Sequence, residues 1–317
     1  MRRAIARRGL SLLAGAVLWL AAAVGVAAAQ SRSYFISAVD IAAELRSDGS
    51  MRVVEQREFS YTGTYRGAFY TLPLRDGQQV SDFSLRDSTG VVYAPGSQDD
   101  EAPGTYAVEQ SDDRFEVTWF YGEPAADERR SYTLDYVVTG AGVRHADSSE
   151  LYWKWVGSGW EVPTSRLEAE LRLPEAAAAL TPGRELLLWA HGPLTGVVEA
   201  PRRGVVRTAV SDLPPETFVE VRVLMPADVL AAAPSDGRQA RAAILAEERC
   251  LALAADAERA RARGERPAAD CDPRAALGRL ANAGLVVLLL GAGAGWVVLF
   301  RRHGREHRLP EDLADYE

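Results

Sequence analysis

The chain has 317 residues, of which 36 are Lys or Arg and 44 are Asp or Glu, and its formal net charge at pH 7 is −8. Residues 30–280 carry most of the acidity, with 28 basic and 39 acidic side chains and a net charge of −11. An acidic surface argues against a nucleic-acid partner and against tight adhesion to anionic headgroups, and ordinary solubility accounts for it.

The N-terminal segment 1–29 resembles a secretory signal peptide. A basic start is followed by the apolar stretch 10–26 and by three alanines at 27–29, which fit the small-residue cleavage pattern. The basic residues are Arg2, Arg3, Arg7 and Arg8. The alternative is an uncleaved anchor, because the apolar stretch is long. Both interpretations place the middle of the chain outside the cytoplasm.

Residues 30–140 show the period-2 pattern of an antiparallel β domain. Segments 39–45 and 51–61 are predicted strands, joined by a tight turn at 47–50 that contains Asp-Gly. Segments 115–121 and 132–138 are two further strands. The acidic stretch 99–101 lies in a predicted surface loop, and its spacing does not match a calcium-binding loop.

Residues 141–230 continue the β pattern, with predicted strands separated by prolines. These strands are 167–173, 185–190, 204–210 and 217–225. The fold class is therefore mainly β, with one or two antiparallel β-sandwich domains. Residues 30–140 form one sandwich, and 141–230 form a second one or the second half of the same one.

A tryptophan-rich segment lies between these halves. Trp153, Trp155 and Trp160 are three of the seven tryptophans and fall within eight residues of one another. Exposed rings are candidate platforms for stacking on sugars, whereas buried rings would belong to the hydrophobic core.

Several short motifs occur in an order similar to that of the YciQ-like predicted membrane proteins, over about residues 30–300. They are Asp48-Gly49-Ser50, Val53-Val54-Glu55, Tyr65-Arg66-Gly67, Leu72-Pro73-Leu74, Leu151-Tyr152-Trp153, Gly157-x-Gly159-Trp160-x-Val162-Pro163 and Leu173-Pro174. The resemblance implies an exported β domain of unknown function, then a helical stretch and membrane anchorage. It supplies no catalytic residues. Many such proteins continue into further spans and a longer cytoplasmic tail.

Residues 231–280 are predicted to form a helical stalk. Ser235 and Asp236 are candidate N-caps for a helix that runs to Arg263, before Gly264. Cys250 and Cys271 lie outside the cytoplasm, where an intramolecular disulfide can form; free thiols or a bond between chains are the alternatives. The disulfide would clamp a membrane-proximal helical hairpin that transmits a signal, as an alternative to a rigid stalk.

Residues 281–300 contain no charged side chain and are long enough, as a helix, to cross the lipid bilayer. Four arginines in the tail 301–317 mark that side as cytoplasmic. They are Arg301, Arg302, Arg305 and Arg308. Gly291 and Gly295 form a small-xxx-small pair, a candidate face for helix association, although glycine is also common in spans without that role.

The sequence contains no His-Glu-x-x-His motif of metalloproteases, no Gly-x-Ser-x-Gly motif of serine hydrolases, no Cys-x-x-Cys motif of thiol redox enzymes and no phosphate-binding glycine loop. We therefore expect no enzymatic activity and no cofactor. The first hypothesis is a binding or scaffolding module of a bacterial envelope, anchored in the cell membrane, whose partner is an envelope protein or a second copy of the chain. The alternatives are a glycan-binding module and a hydrolase that uses paired carboxylates.

Overall fold

The structure is a computed structural model that describes residues 32–75, 77–268 and Cys271. The chain is mainly β, as expected, with one α-helix among these residues. The strands are β1 (Ser33–Leu45), β2 (Met51–Thr62), β3 (Thr64–Pro73), β4 (Gln79–Asp87), β5 (Ala94–Pro95), β6 (Thr105–Gln110), β7 (Arg114–Ala126), β8 (Arg129–Thr139), β9 (Gly142–Arg144), β10 (Ser149–Val156), β11 (Thr164–Arg172), β12 (Leu187–His191), β13 (Val197–Arg202), β14 (Val205–Leu213) and β15 (Val219–Met225). The helix α1 is Arg241–Ala262, and Glu175–Ala179 and Ala227–Leu230 are short 3₁₀ helices.

The strands form three sheets. A seven-stranded sheet has the order β13-β14-β11-β1-β2-β8-β4. The "β3 sheet" has the order β3-β7-β6-β5, and the "β10 sheet" has the order β12-β15-β10-β9. Strands β11 and β14 come from the second half of the β region and β1, β2, β4 and β8 from the first, so both halves share one sheet.

The expectation of purely antiparallel sheets is wrong for two strand pairs. β11 runs parallel to β1, with Val39 opposite Leu167 and Ala43 opposite Leu171. The two-residue strand β5 also runs parallel to β6. Hydrophobic alternation reports which face of a strand is buried but carries no information on its direction. A long connection allows β11 to return in the same direction as β1.

One face of the seven-stranded sheet is the main interior surface. Alternate residues of β1, including Val39 and Ile41, are almost fully buried and belong to a continuous core with residues of the other two sheets. In the β3 sheet, Trp119 makes edge-to-face contacts, with ring centroids 6.2 Å from Phe59 of β2 and 5.4 Å from Tyr132 of β8. These aromatic contacts fix the β3 sheet on the seven-stranded sheet.

The predicted Asp-Gly turn is present between β1 and β2. Gly49 has a φ of 82°, and a Cβ at this position would lie 2.6 Å from the carbonyl oxygen of Gly142. The Asp48 carboxylate accepts hydrogen bonds from the backbone N–H and the hydroxyl of Ser50. Both the left-handed backbone and the close approach to β9 therefore require glycine.

Strand β15 is buried on both faces. Val219, Val221 and Val223 belong to the main core, whereas Leu224 packs in a separate cluster with Ala240 and Ile244 at the start of α1. The β10 sheet therefore lies between the main core and the helix, which gives three layers at this end of the protein.

The signal peptide 1–29, the span 281–300 with Gly291 and Gly295, and the tail 301–317 lie outside the described residues. Within the part of the chain that the structure describes, no helix has the length and apolar character needed to cross a membrane.

We predict that the two halves of the β region unfold together. Leu134 of β8 and Leu167 of β11 are both fully buried in the same core. Leu134→Ala and Leu167→Ala should each lower the free energy of unfolding by about 2–5 kcal/mol, in a single shared transition. Circular dichroism of the full chain in detergent micelles during denaturation measures this.

The matched control is Leu245→Ala, because Leu245 is 36% exposed on α1. We expect it to change the free energy of unfolding by less than about 0.5 kcal/mol. Two separate transitions, each shifted by one core variant alone, would contradict a single cooperative unit.

Candidate functional site

The outer face of the β10 sheet carries charged residues where β15 meets α1. The alternation in β15 turns Val221 and Val223 toward the main core and turns Glu220 and Arg222 toward the opposite face. Arg222 is 5% exposed, so its charge is buried. A buried arginine needs acceptors, and these come from both the sheet and the helix.

Helix α1 lies on this face through residues spaced four apart. Ala240, Ile244 and Glu248 are all buried, and the first two pack against Leu224 of β15. This i, i+4 spacing places them on one side of the helix. The part of α1 that contains them therefore rests on the β10 sheet.

The expected N-cap at Ser235 or Asp236 is wrong. The helix begins at Arg241, and its cap comes from Asp147, whose carboxylate accepts hydrogen bonds from the N–H groups of Ala240 and Arg241 at 2.9 and 3.2 Å. Burial raises the pKa of Asp147, but these hydrogen bonds outweigh it and lower the pKa. A cap more than ninety residues away in sequence cannot be recognised from the local pattern around the helix start.

Arg222 joins the sheet to the helix. Its Nε donates to Glu150 Oε1 of β10 at 2.5 Å, and its Nη1 donates to Glu248 Oε1 and Glu247 Oε2 of α1, both at 2.8 Å. Burial disfavours the charge on Arg222, but the hydrogen bonds to Glu248 and Glu247 outweigh it and raise the pKa of Arg222 further.

A second contact between sheet and helix is made by His191 at the end of β12. Its Nε2 lies 3.0 Å from Glu248 Oε2, so the Glu248 carboxylate is shared by His191 and Arg222. Burial alone would raise the pKa of Glu248, but the hydrogen bonds from His191 and Arg222 outweigh it and lower the pKa. Glu248 is therefore held as a carboxylate. Glu150, His191, Arg222, Glu247 and Glu248 are called the anchor network from here on.

The anchor network continues to the segment just before α1. His145 Nε2 lies 3.2 Å from Glu150 Oε2, and His145 Nδ1 lies 2.8 Å from Asp236 Oδ2. Asp236 also accepts a hydrogen bond from the N–H of Arg238 at 2.9 Å. The chain that enters α1 is thus held to the β10 sheet at several points.

A groove of about 370 Å³ lies beside the anchor network, between α1 and the strands β12 and β14. Leu251, Ala254 and Ala255 line it from the helix, and Leu194 and Val210 line it from the β region. Its surface is mainly apolar. His191 and Glu248 also line it, so the groove borders the network that fixes the helix.

The three tryptophans predicted as stacking candidates differ in their exposure to solvent. Trp153 and Trp155 are 5% and 2% exposed and belong to the main core. Neither presents a face on which a sugar can stack, so the stacking interpretation does not apply to these two rings as they stand. Trp160 is half-buried and lies over the Arg57 guanidinium, with 4.5 Å between the Cζ atom and the ring centroid.

The two cysteines form one intramolecular disulfide, with 5.3 Å between the Cα atoms of Cys250 and Cys271. The bond ties the middle of α1 to the chain nine residues past the end of the helix. A disulfide that closes a loop of this size contributes on the order of 3 kcal/mol.

Sequence reasoning missed the anchor network, although two signals pointed to it. Glu220 and Arg222 interrupt a valine-rich strand at alternate positions, which indicates a second buried face with polar partners. Glu248 lies four residues after Ile244 on the apolar side of the helix. The identity of the partners depends on the tertiary fold.

In the described ranges, no group of three or more His, Cys, Asp or Glu side chains is arranged to hold a metal ion. The carboxylates of the anchor network are bound to Arg222 and His191. The lowered pKa of Glu248 is the opposite of what a general acid requires. The network can fix a helix and set its electrostatics.

Comparison with known proteins gives one family. The family model described as "Predicted membrane protein (DUF2207) N-terminal domain" matches residues 35–225. The expected family is confirmed at the level of this description. No curated protein matches the chain.

Solved structures give only weak similarity. An M1 zinc metallopeptidase from Deinococcus radiodurans has 12% identity and a TM-score of 0.33, over 60% of this chain and 42% of the peptidase. Yeast LTA4 hydrolase in complex with bestatin has 7% identity and a TM-score of 0.36, over 60% of this chain and 28% of the hydrolase. The chain thus spans about two fifths or less of the length of these structures. No activity follows from similarity at this level.

We predict that Glu248 holds α1 on the β10 sheet. Glu248→Gln removes the charge shared by Arg222 and His191 and should weaken docking by about 1–3 kcal/mol, so amide exchange in 241–255 should rise roughly ten- to hundredfold. Hydrogen–deuterium exchange with mass spectrometry measures this. Glu247→Gln is the matched control, because the Glu247 side chain is 43% exposed and its ion pair is screened by solvent. Equal effects of the two variants would contradict the prediction.

We also predict that α1 loosens in acid. The pKa of Glu248 is lowered from its ordinary value of 4.5, so its contribution is complete above that pH and is lost as the pH falls through the lower pKa of the folded state. Exchange in α1, corrected for its intrinsic pH dependence, should therefore increase below pH 4.5. Glu248→Gln should show a smaller acid response, because this carboxylate is absent. Some response should remain, because Asp147 and Asp236 are still present. The same acid response in both proteins would exclude Glu248 as the group responsible.

Proposed function

This chain belongs to the family of predicted membrane proteins with a DUF2207 N-terminal domain, and we propose that it is a membrane-anchored binding or scaffolding module on the extracytoplasmic side of a bacterial envelope. The family description supports the membrane location. The topology in this proposal comes from the sequence: export by 1–29, a single span at 281–300, and the arginine-rich tail 301–317 in the cytoplasm.

The observation that carries the proposal is the fixed attachment of α1 to the β10 sheet. The helix is the last described element before the proposed span, and it is held by the buried charges of the anchor network and by the Asp147 cap. The Cys250–Cys271 disulfide separately ties α1 to the chain that follows the helix. Such an attachment supports a module whose position above the membrane is defined, as scaffolding requires.

The groove beside α1 is the proposed binding surface. It is mainly apolar and open, and its helix side includes the small residues Ala254 and Ala255, which leave room for another chain. The proposed partner is an extended, mainly apolar segment of a second envelope protein. A partner bound there would contact His191 and Glu248, which line the same groove.

The alternatives have less support. Trp153 and Trp155 are core residues, so a glycan-binding surface would have to rely on Trp160. The buried carboxylates around Arg222 are already paired, which disfavours a hydrolase that uses them. We therefore propose that the chain acts by binding and is not an enzyme.

The test is crosslinking in the native membrane, followed by affinity purification of the full chain. Ala255→Trp places a large side chain in the groove, and Ala246→Trp places the same side chain on the exposed side of α1. We expect a distinct protein to co-purify in a fixed ratio with the wild type and Ala246→Trp, and its recovery to fall about tenfold or more with Ala255→Trp.

Two results would overturn the proposal. One is a wild-type sample that recovers no second protein. The other is a partner recovered equally with both variants, which would mean that the groove is not the binding surface. If the wild type is crosslinked only to further copies of itself, and Ala255→Trp abolishes this crosslink, the occupant of the groove is a second copy of the chain. That result would overturn the choice of a different envelope protein.

A further inference from the structure

A second polar site lies inside the β sandwich, away from the groove and independent of the proposed function. The alternation in β2 turns Glu55 and Arg57 to the inner face, between the apolar residues Val53 and Phe59. The side chains of Arg57 and Glu55 are 0% and 1% exposed. Charged residues are rarely placed in a core, because each one must recover its lost hydration from hydrogen bonds.

Only part of the Arg57 guanidinium has a partner. Its Nε donates to Glu55 Oε1, and Tyr136 donates from its hydroxyl to Glu55 Oε2 at 3.3 Å. Burial raises the pKa of Tyr136 well above its usual range, so this phenol is neutral and acts as a donor. The Nη1 and Nη2 atoms of Arg57 are buried and have no hydrogen-bond partner among the described residues.

Two aromatic rings contact the guanidinium. Its Cζ atom lies 4.7 Å from the centroid of Tyr70 and 4.5 Å from the centroid of Trp160. Cation–π contacts stabilise the charge but do not satisfy N–H donors in the guanidinium plane. The planar fork of Nη1 and Nη2 matches the two oxygens of a carboxylate.

The Trp160 side chain is the group whose movement can open a path from solvent to Nη1 and Nη2 of Arg57. Tyr70 is 4% exposed and belongs to β3, whereas Trp160 is half-buried and lies in the connection between β10 and β11. Gly157 and Gly159 precede it, and a Cβ at Gly159 would meet nothing within 4 Å. The Trp160 ring can therefore turn outward without breaking a strand, while its carbonyl keeps the hydrogen bond from the N–H of Glu216 at 2.7 Å.

We propose that Arg57 is a binding site for the carboxylate of a small molecule, which enters when the Trp160 ring turns away and pairs with Nη1 and Nη2. The charges of Arg57 and Glu55 favour a ligand with a single negative charge over one with two. Arg57 and Glu55 balance each other, so a carboxylate adds one net negative charge to a buried site, whereas a phosphate dianion adds two at a greater desolvation cost.

The first test measures the accessibility of Arg57 with phenylglyoxal, an arginine-selective reagent, on the full chain in detergent micelles. Mass spectrometry follows the rate at Arg57 and, as an internal control, at Arg172, whose side chain is 67% exposed. Trp160→Ala should raise the rate at Arg57 about tenfold, and Trp160→Phe should leave it near the wild-type rate. Saturating acetate should then slow labelling of Arg57 about tenfold and leave Arg172 unchanged.

The second test measures binding directly by calorimetry with N-acetylglycine and with inorganic phosphate. Arg57→Lys keeps the positive charge beside Glu55 but removes the planar fork, so we expect at least about tenfold weaker binding of N-acetylglycine. Circular dichroism checks that the variant is folded. A variant that does not fold leaves the decision to the acetate protection in Trp160→Ala.

The proposal is overturned if Arg57 remains unlabelled in Trp160→Ala, or if it is labelled and acetate gives no protection. It is also overturned if N-acetylglycine fails to bind the wild type or binds folded Arg57→Lys equally well. Phosphate binding as tight as that of N-acetylglycine would exclude the carboxylate assignment. None of these results depends on the groove beside α1, so failure here leaves the proposed partner interaction to its own test.

Discussion

The buried ion pairs of Arg222 determine how the end of this protein nearest the proposed span is arranged. Arg222 is the point at which a strand of the β10 sheet, through Glu150, and the helix α1, through Glu248, share one charge. A buried charge of this kind contributes little net stability relative to an apolar core, but it penalises any arrangement that leaves it unpaired. Helix α1 is therefore restricted to the position in which Glu248 reaches both Arg222 and His191, and the groove beside it has a defined shape.

Much of the β architecture could be predicted from the sequence, for reasons visible in particular residues. The Asp48-Gly49 turn and the alternation of Val39 and Ile41 identify β1, its inner face and its hairpin partner β2. The parallel pairing of β1 with β11 could not be predicted, because the apolar residues around Leu167 alternate in the same way whichever direction the strand runs. The Asp147 cap was missed for a related reason, since the acceptor is distant in sequence from the donors it satisfies.

For the candidate sites too, the sequence indicates which residues are buried, whereas their partners depend on the tertiary fold. Alternation shows that Arg222 and Arg57 occupy positions on faces that bury apolar neighbours, so both could be recognised as buried charges. Their roles differ because the fold places different side chains around each guanidinium. Arg222 meets three carboxylates from two elements, whereas Arg57 meets one carboxylate and two aromatic rings, of which Trp160 comes from a connection far along the chain. Sequence can locate such residues, but only tertiary structure supplies their partners.

The parallel pairing of β1 with β11 also has a consequence for the order in which the chain can fold as it is synthesised. β1 is synthesised before β11, yet β11, the neighbour on one of its sides, lies more than one hundred residues later in the chain. Until β11 emerges, the backbone N–H and C=O groups along that edge of β1 are unpaired and available to other strands. Contacts of such long sequence separation form slowly. The partly synthesised chain therefore presents an open strand edge, which can mispair with other strands until β11 completes the seven-stranded sheet.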